Sequence, residues 1–165
     1  MEPAATPSRS VSDPGDGWEQ IREYARQRCD QRSVKLTSFR EAVLRQIALS
    51  KQPRGAYDIA TRLGAELGKR VAPNSVYRVL DLLIECGLVQ RVESKQAYCL
   101  AAPQFSKNAL LLMCEGCGAV EPVDGSAIED AMRQQAKAAH FRPLRKVIEI
   151  TGICEACDAA QARDG

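Results

Sequence analysis

Four of the seven cysteines in this 165-residue chain form two matched pairs, Cys114-Glu115-Gly116-Cys117 and Cys154-Glu155-Ala156-Cys157, with 36 residues between them. Zinc takes four thiolates in a tetrahedron, and each C-x-x-C turn presents two sulfurs from one knuckle, so two knuckles close the shell. A closed four-sulfur shell leaves no position for water or substrate. The zinc expected here is therefore structural, fastening the final segment to the strand that leads into Cys114. The competing chemistry is a pair of thioredoxin-like redox motifs, which needs C-x-x-C at a helix start after a strand and a lowered thiol pKa. Cys29, Cys86 and Cys99 read first as small buried hydrophobes. A thiol-redox switch at Cys99 or Cys86 is the alternative role for them.

The second constellation is Pro73-Asn74-Ser75-Val76-Tyr77-Arg78, preceded by Gly55-Ala56-Tyr57-Asp58. A recognition helix enters the major groove with its N-terminal residues facing base edges, the place where outward Tyr77 and Arg78 would sit. Arg78 could pair with guanine O6 and N7, while Tyr57 or Ser75 could touch phosphate or a thymine methyl. Lys35, Arg40 and Arg91 are candidate phosphate contacts. The plain alternative is that Tyr and Arg on a helix face are solvated surface or one half of an ion pair.

The elements that must carry these groups follow from periodicity. Residues 1–17, rich in Pro, Ser, Gly and Asp, are expected to be a disordered tail. Helices are expected from Trp18 to about Arg32, from an N-cap at Thr37 to about Ser50, from Ala56 to Leu67 before Gly68, and from Pro73 to Gly87. Two short strands, 88–93 and 97–100, follow across the turn Ser94-Lys95-Gln96. Helices ending in a small hairpin describe a winged helix-turn-helix over 18–100. Residues 101–108 lack periodicity and read as a linker. Strands at 109–113 and 147–151, with a helix from a Ser126 cap to about Ala139, make 109–158 a small α/β domain, and 159–165 a tail. The fold class is α+β.

Composition supports this frame. Hydrophobic residues make up 45% of the chain, enough for a core. No apolar run approaches the ~20 residues of a membrane span and no signal peptide opens the chain, so a cytoplasmic protein with reduced thiols is expected. The net charge of +2 hides an uneven distribution: residues 18–100 carry 15 Lys and Arg against 9 Asp and Glu. A polyanionic partner belongs at that basic middle segment.

From about residue 25 to Cys157, the stretches LTSFREAVL, AYDIATRL, APNSVYRVLDLLIECGLVQRVES, AYCL, CEGCGAV and EITGICEAC occur in order. In these the chain resembles the ferric uptake regulator family of bacterial metal-responsive repressors, in its zinc uptake regulator branch. The resemblance implies a winged-helix DNA-binding domain, a C-terminal dimerisation domain, structural zinc on the two C-x-x-C pairs, and homodimers on a palindromic double-stranded operator. It places Tyr57 and Arg78 at base-contacting positions, with Tyr77 beside them. No enzyme activity is implied.

One part of the family pattern is missing. The zinc branch would put His at Gln90, Cys at Ala101, a further His within Pro103–Lys107 and Glu at Pro122, and this chain departs at all four while containing a single histidine. The second, regulatory metal site is therefore expected to be lost or rebuilt. A rebuilt set would draw on Cys99, Glu93, Glu121, Asp124 or His140. The plainer role for His140 is a helix cap in the left-handed conformation. The reading overall is a dimeric DNA-binding regulator, with a zinc-stabilised interaction module or a thiol oxidoreductase as the rival of another class.

Overall fold

The computed structural model describes residues 14–101, 109–144 and 146–162. Most of the expected tail and linker lie outside those residues. Helix α1 spans Pro14–Asp30, so it begins inside the segment read as tail. Its polar first turn precedes the apolar stripe that starts at Trp18, and the usable signal is Pro14 at the first helical position.

Helix α2 (Ser38–Ala48) starts as expected, with the Thr37 side chain accepting from the Arg40 N–H. Helix α3 (Ala56–Leu67) ends at Gly68, φ +61°. Helix α4 (Pro73–Glu85) stops in a Schellman turn: Gly87 has φ +70°, its N–H donates to the Ile84 carbonyl, and the Leu88 N–H donates to Leu83. The wing is strand β1 (Val89–Val92) antiparallel to β2 (Ala97–Leu100), extended by a two-bond bridge between Arg54 and Tyr98.

These helices close on one core. Leu44, Ile59, Leu63, Val76, Leu80 and Leu83 are fully buried within it. Cys29 and Cys86 also lie there, their sulfurs 4.0 Å apart. Leu80 brings α4 into the core, so Leu80→Ala is expected to cost ~2–5 kcal/mol through lost burial and a residual cavity, measurable by urea denaturation.

The second domain has strand order β4-β3-β5. Strands β3 (Ala109–Cys114) and β4 (Val120–Asp124) pair antiparallel, and β5 (Glu149–Gly152) runs parallel to β3. Helix α5 (Ser126–Ala138) makes the crossover, and the short helix α6 (Glu155–Gln161) follows the last strand. Strand β4 and helix α6 are additions to the expected elements, and α6 occupies part of the segment read as a C-terminal tail. Ser126 is the first helical residue of α5 and not its cap. Gly125 holds the cap position, and the carboxylate of Asp124 before it accepts both the Ser126 N–H (3.0 Å) and its hydroxyl (2.5 Å).

The domains touch through the wing. Val92 of β1 forms a small cluster with Leu111 and Met113 of β3, against which Cys99 and Val120 pack.

Candidate metal centre and nucleic-acid interface

Cys114 ends β3, Cys117 follows it in a tight turn, and Cys154 and Cys157 lie at the N-terminal end of α6. The four sulfurs lie within 4.8 Å of one another, with Cys117 Sγ and Cys154 Sγ 3.9 Å apart. A tetrahedron with ~2.3 Å zinc–sulfur bonds has sulfur–sulfur edges of ~3.8 Å, so this donor set fits zinc. The geometry also shows why a cation belongs there. The Cys154 N–H, 3.3 Å from Cys114 Sγ, helps lower the Cys114 thiol to about 6, and the Cys117 backbone adds to this. Cys157, its thiol set against those of Cys154 and Cys114, is pushed up to about 12. One thiolate thus suppresses its neighbour, and a bound dication removes that conflict for all four.

The knuckle requires a glycine at its centre. A Cβ on Gly116 would stand 2.9 Å from Cys157 Sγ and 3.0 Å from its Cβ. Gly116→Ala must therefore shift a ligand sulfur, and a fall in zinc affinity of about 10–100-fold is expected in competition with a chromophoric chelator. An unchanged affinity would mean that the knuckle relaxes freely.

On the other domain, α4 buries Val76, Val79, Leu80 and Leu83 and turns Asn74, Ser75, Tyr77 and Arg78 outward. Tyr57, at the start of α3, is 68% exposed, and its ring meets that of Tyr77 edge to face at 6.3 Å. Residues 18 to 21 positions apart in sequence thus share one surface: Tyr57 comes from the start of α3, and Ser75, Tyr77 and Arg78 from the start of α4. The first turn of α4 holds no acidic residue, which leaves the positive end of the helix dipole open to an anion. Among the described residues Arg78 has no ion-pair partner. Arg91, by contrast, pairs with Glu93 across 3.3 Å on the wing. Arg40 donates to the Lys35 carbonyl, 2.5 Å, at the start of α2.

The residues considered for a rebuilt regulatory site do not converge. Among the described residues, the four zinc-knuckle cysteines alone bring three or more His, Cys, Asp or Glu ligand atoms together. Asp124 is occupied by the N–H and hydroxyl of Ser126, Glu93 pairs with Arg91, and Glu121 is exposed on β4. His140 has φ +52° in a Schellman turn, its N–H donating to Lys137 and that of Phe141 to Ala136. Its surroundings are Arg133, Lys137 and Arg142, which repel a cation. Cys99 faces Gln90 across the wing, and burial pushes its thiol up to about 11.

The profile of the Ferric uptake regulator family matches residues 31–151. The chain belongs to the ferric uptake regulator family. It is 37% identical over 136 residues to the zinc uptake regulation protein of Escherichia coli (strain K12), covering 81% of this chain and 79% of that protein. Against the ferric uptake regulation protein of Legionella pneumophila, the identity is 28% over 124 residues, or 75% and 91% of the two chains. A solved zinc uptake regulator complexed with zinc and DNA superposes with a TM-score of 0.81 at 34% identity, over 88% of this chain and 97% of that one. Holo XcZur superposes with a TM-score of 0.74 at 30% identity, over 86% and 99%. As a member of this family the chain is a transcriptional regulator and not an enzyme.

Sequence reasoning missed one group that the structure places between the domains. Glu149, on β5, sends its carboxylate to the wing, where it accepts the Glu93 N–H at 2.6 Å and the Ser94 N–H at 3.1 Å. Nothing in local spacing marks a contact between residues 55 and 56 positions apart.

Proposed function

We propose that the chain is a homodimeric, sequence-specific DNA-binding repressor of the zinc uptake regulator branch, acting in the cytoplasm on a palindromic operator. The observation that carries this reading is the surface at the start of α4, where Tyr57, Ser75, Tyr77 and Arg78 stand exposed over a helix end free of acidic residues. Arg78 and Tyr57 read base edges, and Lys35, Arg40 and Arg91 contact phosphate.

Support for the dimer comes from α5, none of whose residues is buried although Ile128 and Met132 form an apolar stripe. Phe141, Leu144, Val147 and Ile150 of the same domain are exposed as well, and a second copy would cover such apolar groups. The four-cysteine zinc is structural, because its shell is closed.

Control of this regulator differs from the usual pattern of its branch. We infer that the second metal site is lost, since its four family positions hold other residues and the substitutes considered do not converge. The thiol-redox reading has less support: burial pushes Cys99 up to about 11, so it is a protonated thiol near neutral pH and a poor nucleophile, and Cys86 is buried in the helical core, away from an oxidant in solution.

The test is selection of duplexes from a randomised library with the purified dimer, followed by titration with and without a mild chelator. A palindrome bound equally well under both conditions, with affinity falling steeply with salt, is the expected result. Failure to enrich any duplex would sink the functional reading. Chelator-sensitive binding by a dimer that keeps its four-cysteine zinc would restore a second metal site.

A further inference from the structure

In a dimeric repressor of the kind proposed above, affinity for a palindrome depends on where each recognition helix stands relative to the dimerisation domain. That placement must be set by groups joining the wing to the C-terminal sheet. Contacts of different kinds join the two domains. Val92 packs on Leu111 and Met113, a nondirectional contact that tolerates sliding. Gln52 donates from its side-chain amide to the Cys117 carbonyl at 2.7 Å. The third contact is the most directional: both oxygens of the partly buried Glu149 carboxylate are engaged, one by the Glu93 N–H and the other by the Ser94 N–H. Ser94 is held further by its hydroxyl, 3.6 Å from Met113 Sδ.

We propose that Glu149 is a positioning residue for operator binding: its carboxylate, clamped on two successive N–H groups of the wing turn, fixes the winged-helix domain on the C-terminal sheet. Charge-assisted bonds to two adjacent N–H groups define both distance and orientation, which one bond could not. Glu149 lies opposite Leu111 in the β3–β5 register, so the clamp is anchored in the sheet itself. The superposition at a TM-score of 0.81 over 88% of the chain includes both domains, so their mutual placement is similar to that in a zinc- and DNA-bound relative. The clamp thus holds a placement suited to DNA through a contact made within one protomer.

This inference rests on the dimeric DNA-binding reading, and two readouts separate their failures. The first is amide exchange in the full-length, zinc-loaded protein without DNA. In the wild type the Glu93 and Ser94 amides are expected to be protected; in Glu149→Gln and Glu149→Ala they should exchange about tenfold faster or more. The Leu111 amide, bonded to the Ile148 carbonyl, should keep its protection and report an intact sheet. The second readout uses a palindromic duplex selected by the wild type from a random library, and the same duplex with one half scrambled. Loss of positioning weakens simultaneous engagement of two half-sites but leaves engagement of one unchanged. Glu149→Ala should lose about tenfold or more on the palindrome and less than about twofold on the half-scrambled duplex.

Unaltered exchange at Glu93 and Ser94 would overturn the clamp. Equal losses on both duplexes would overturn the positioning role and reassign Glu149 to stability, and Glu149→Gln serves as the milder variant should the alanine lose its zinc. A wild type that selects no duplex would reject the functional reading, while the exchange measurement would still judge the clamp.

Discussion

Cys154→Ser is expected to yield a chain without zinc, monomeric in sedimentation, with its C-terminal domain unfolded and its winged-helix domain intact. The size of the effect follows from how little else holds that domain together. Among the described residues of one chain its buried hydrophobics are Leu110, Leu111, Met113 and Cys114, and α5 contributes none. So small a core cannot offset the entropy of ordering some fifty residues, each costing ~1–2 kcal/mol in backbone freedom alone. Structural zinc supplies ~10–16 kcal/mol in small zinc-dependent folds, comparable with the whole stability of a domain. Serine presents a hard hydroxyl in place of a thiolate, so the shell is left with three sulfurs and the metal loses one of its four anionic ligands. Cys114→Ser should behave alike. The winged helix keeps its own core of Leu44, Ile59, Leu63, Leu80 and Leu83, so a cooperative melting transition should remain. Elemental analysis, sedimentation and calorimetry together decide the matter. A zinc-free variant that stays dimeric would reject the structural role assigned to the metal.

The elements legible in the sequence were those whose signals are local. Thr37 before an apolar stripe, Pro73 at a helix start, and Gly68 and Gly87 in left-handed turns mark α2, α3 and α4 to within a residue or two. The four cysteines were equally readable because ligand spacing within a knuckle is a local constraint. Strand β4 was not, since Pro122 interrupts its pattern; the structure accommodates that proline because β4 is an edge strand. Helix α6 has seven residues and no buried one, so it offers no stripe to find. The apolar stripe of α5 was visible, but the sequence could not show that a single chain leaves it uncovered. Glu149 lies beyond local reading altogether. Its partners are backbone groups of another domain, and a backbone N–H carries no residue type to recognise.

Arg78→Ala is expected to weaken operator binding by ~1–3 kcal/mol, roughly 5–150-fold, and to relax preference at one base position in each half-site. Among the three arginine candidates Arg78 is the one whose guanidinium is uncommitted. It projects from the second turn of α4 with no ion-pair partner among the described residues, so presenting its guanidinium to a base breaks nothing. Arg91 must give up Glu93, and Arg40 is already spent on the Lys35 carbonyl. A bidentate contact to a guanine edge is lost as a unit and leaves buried acceptors unpaired, whereas a phosphate contact is exchanged for counterions. The two kinds of loss therefore have different signatures. Lys35→Ala or Arg91→Ala should weaken binding about equally across sequences and reduce the salt slope by about one. Arg78→Ala should flatten discrimination while leaving that slope nearly unchanged. Tyr57, whose ring rests edge-on against Tyr77, supplies the control: Tyr57→Phe keeps the ring pair and should lose little, while Tyr57→Ala removes it. Affinities for the selected duplex and its single-base variants, each measured at several salt concentrations, separate these outcomes. An Arg78→Ala protein that retains full base preference would move the reading head elsewhere on the α3–α4 surface.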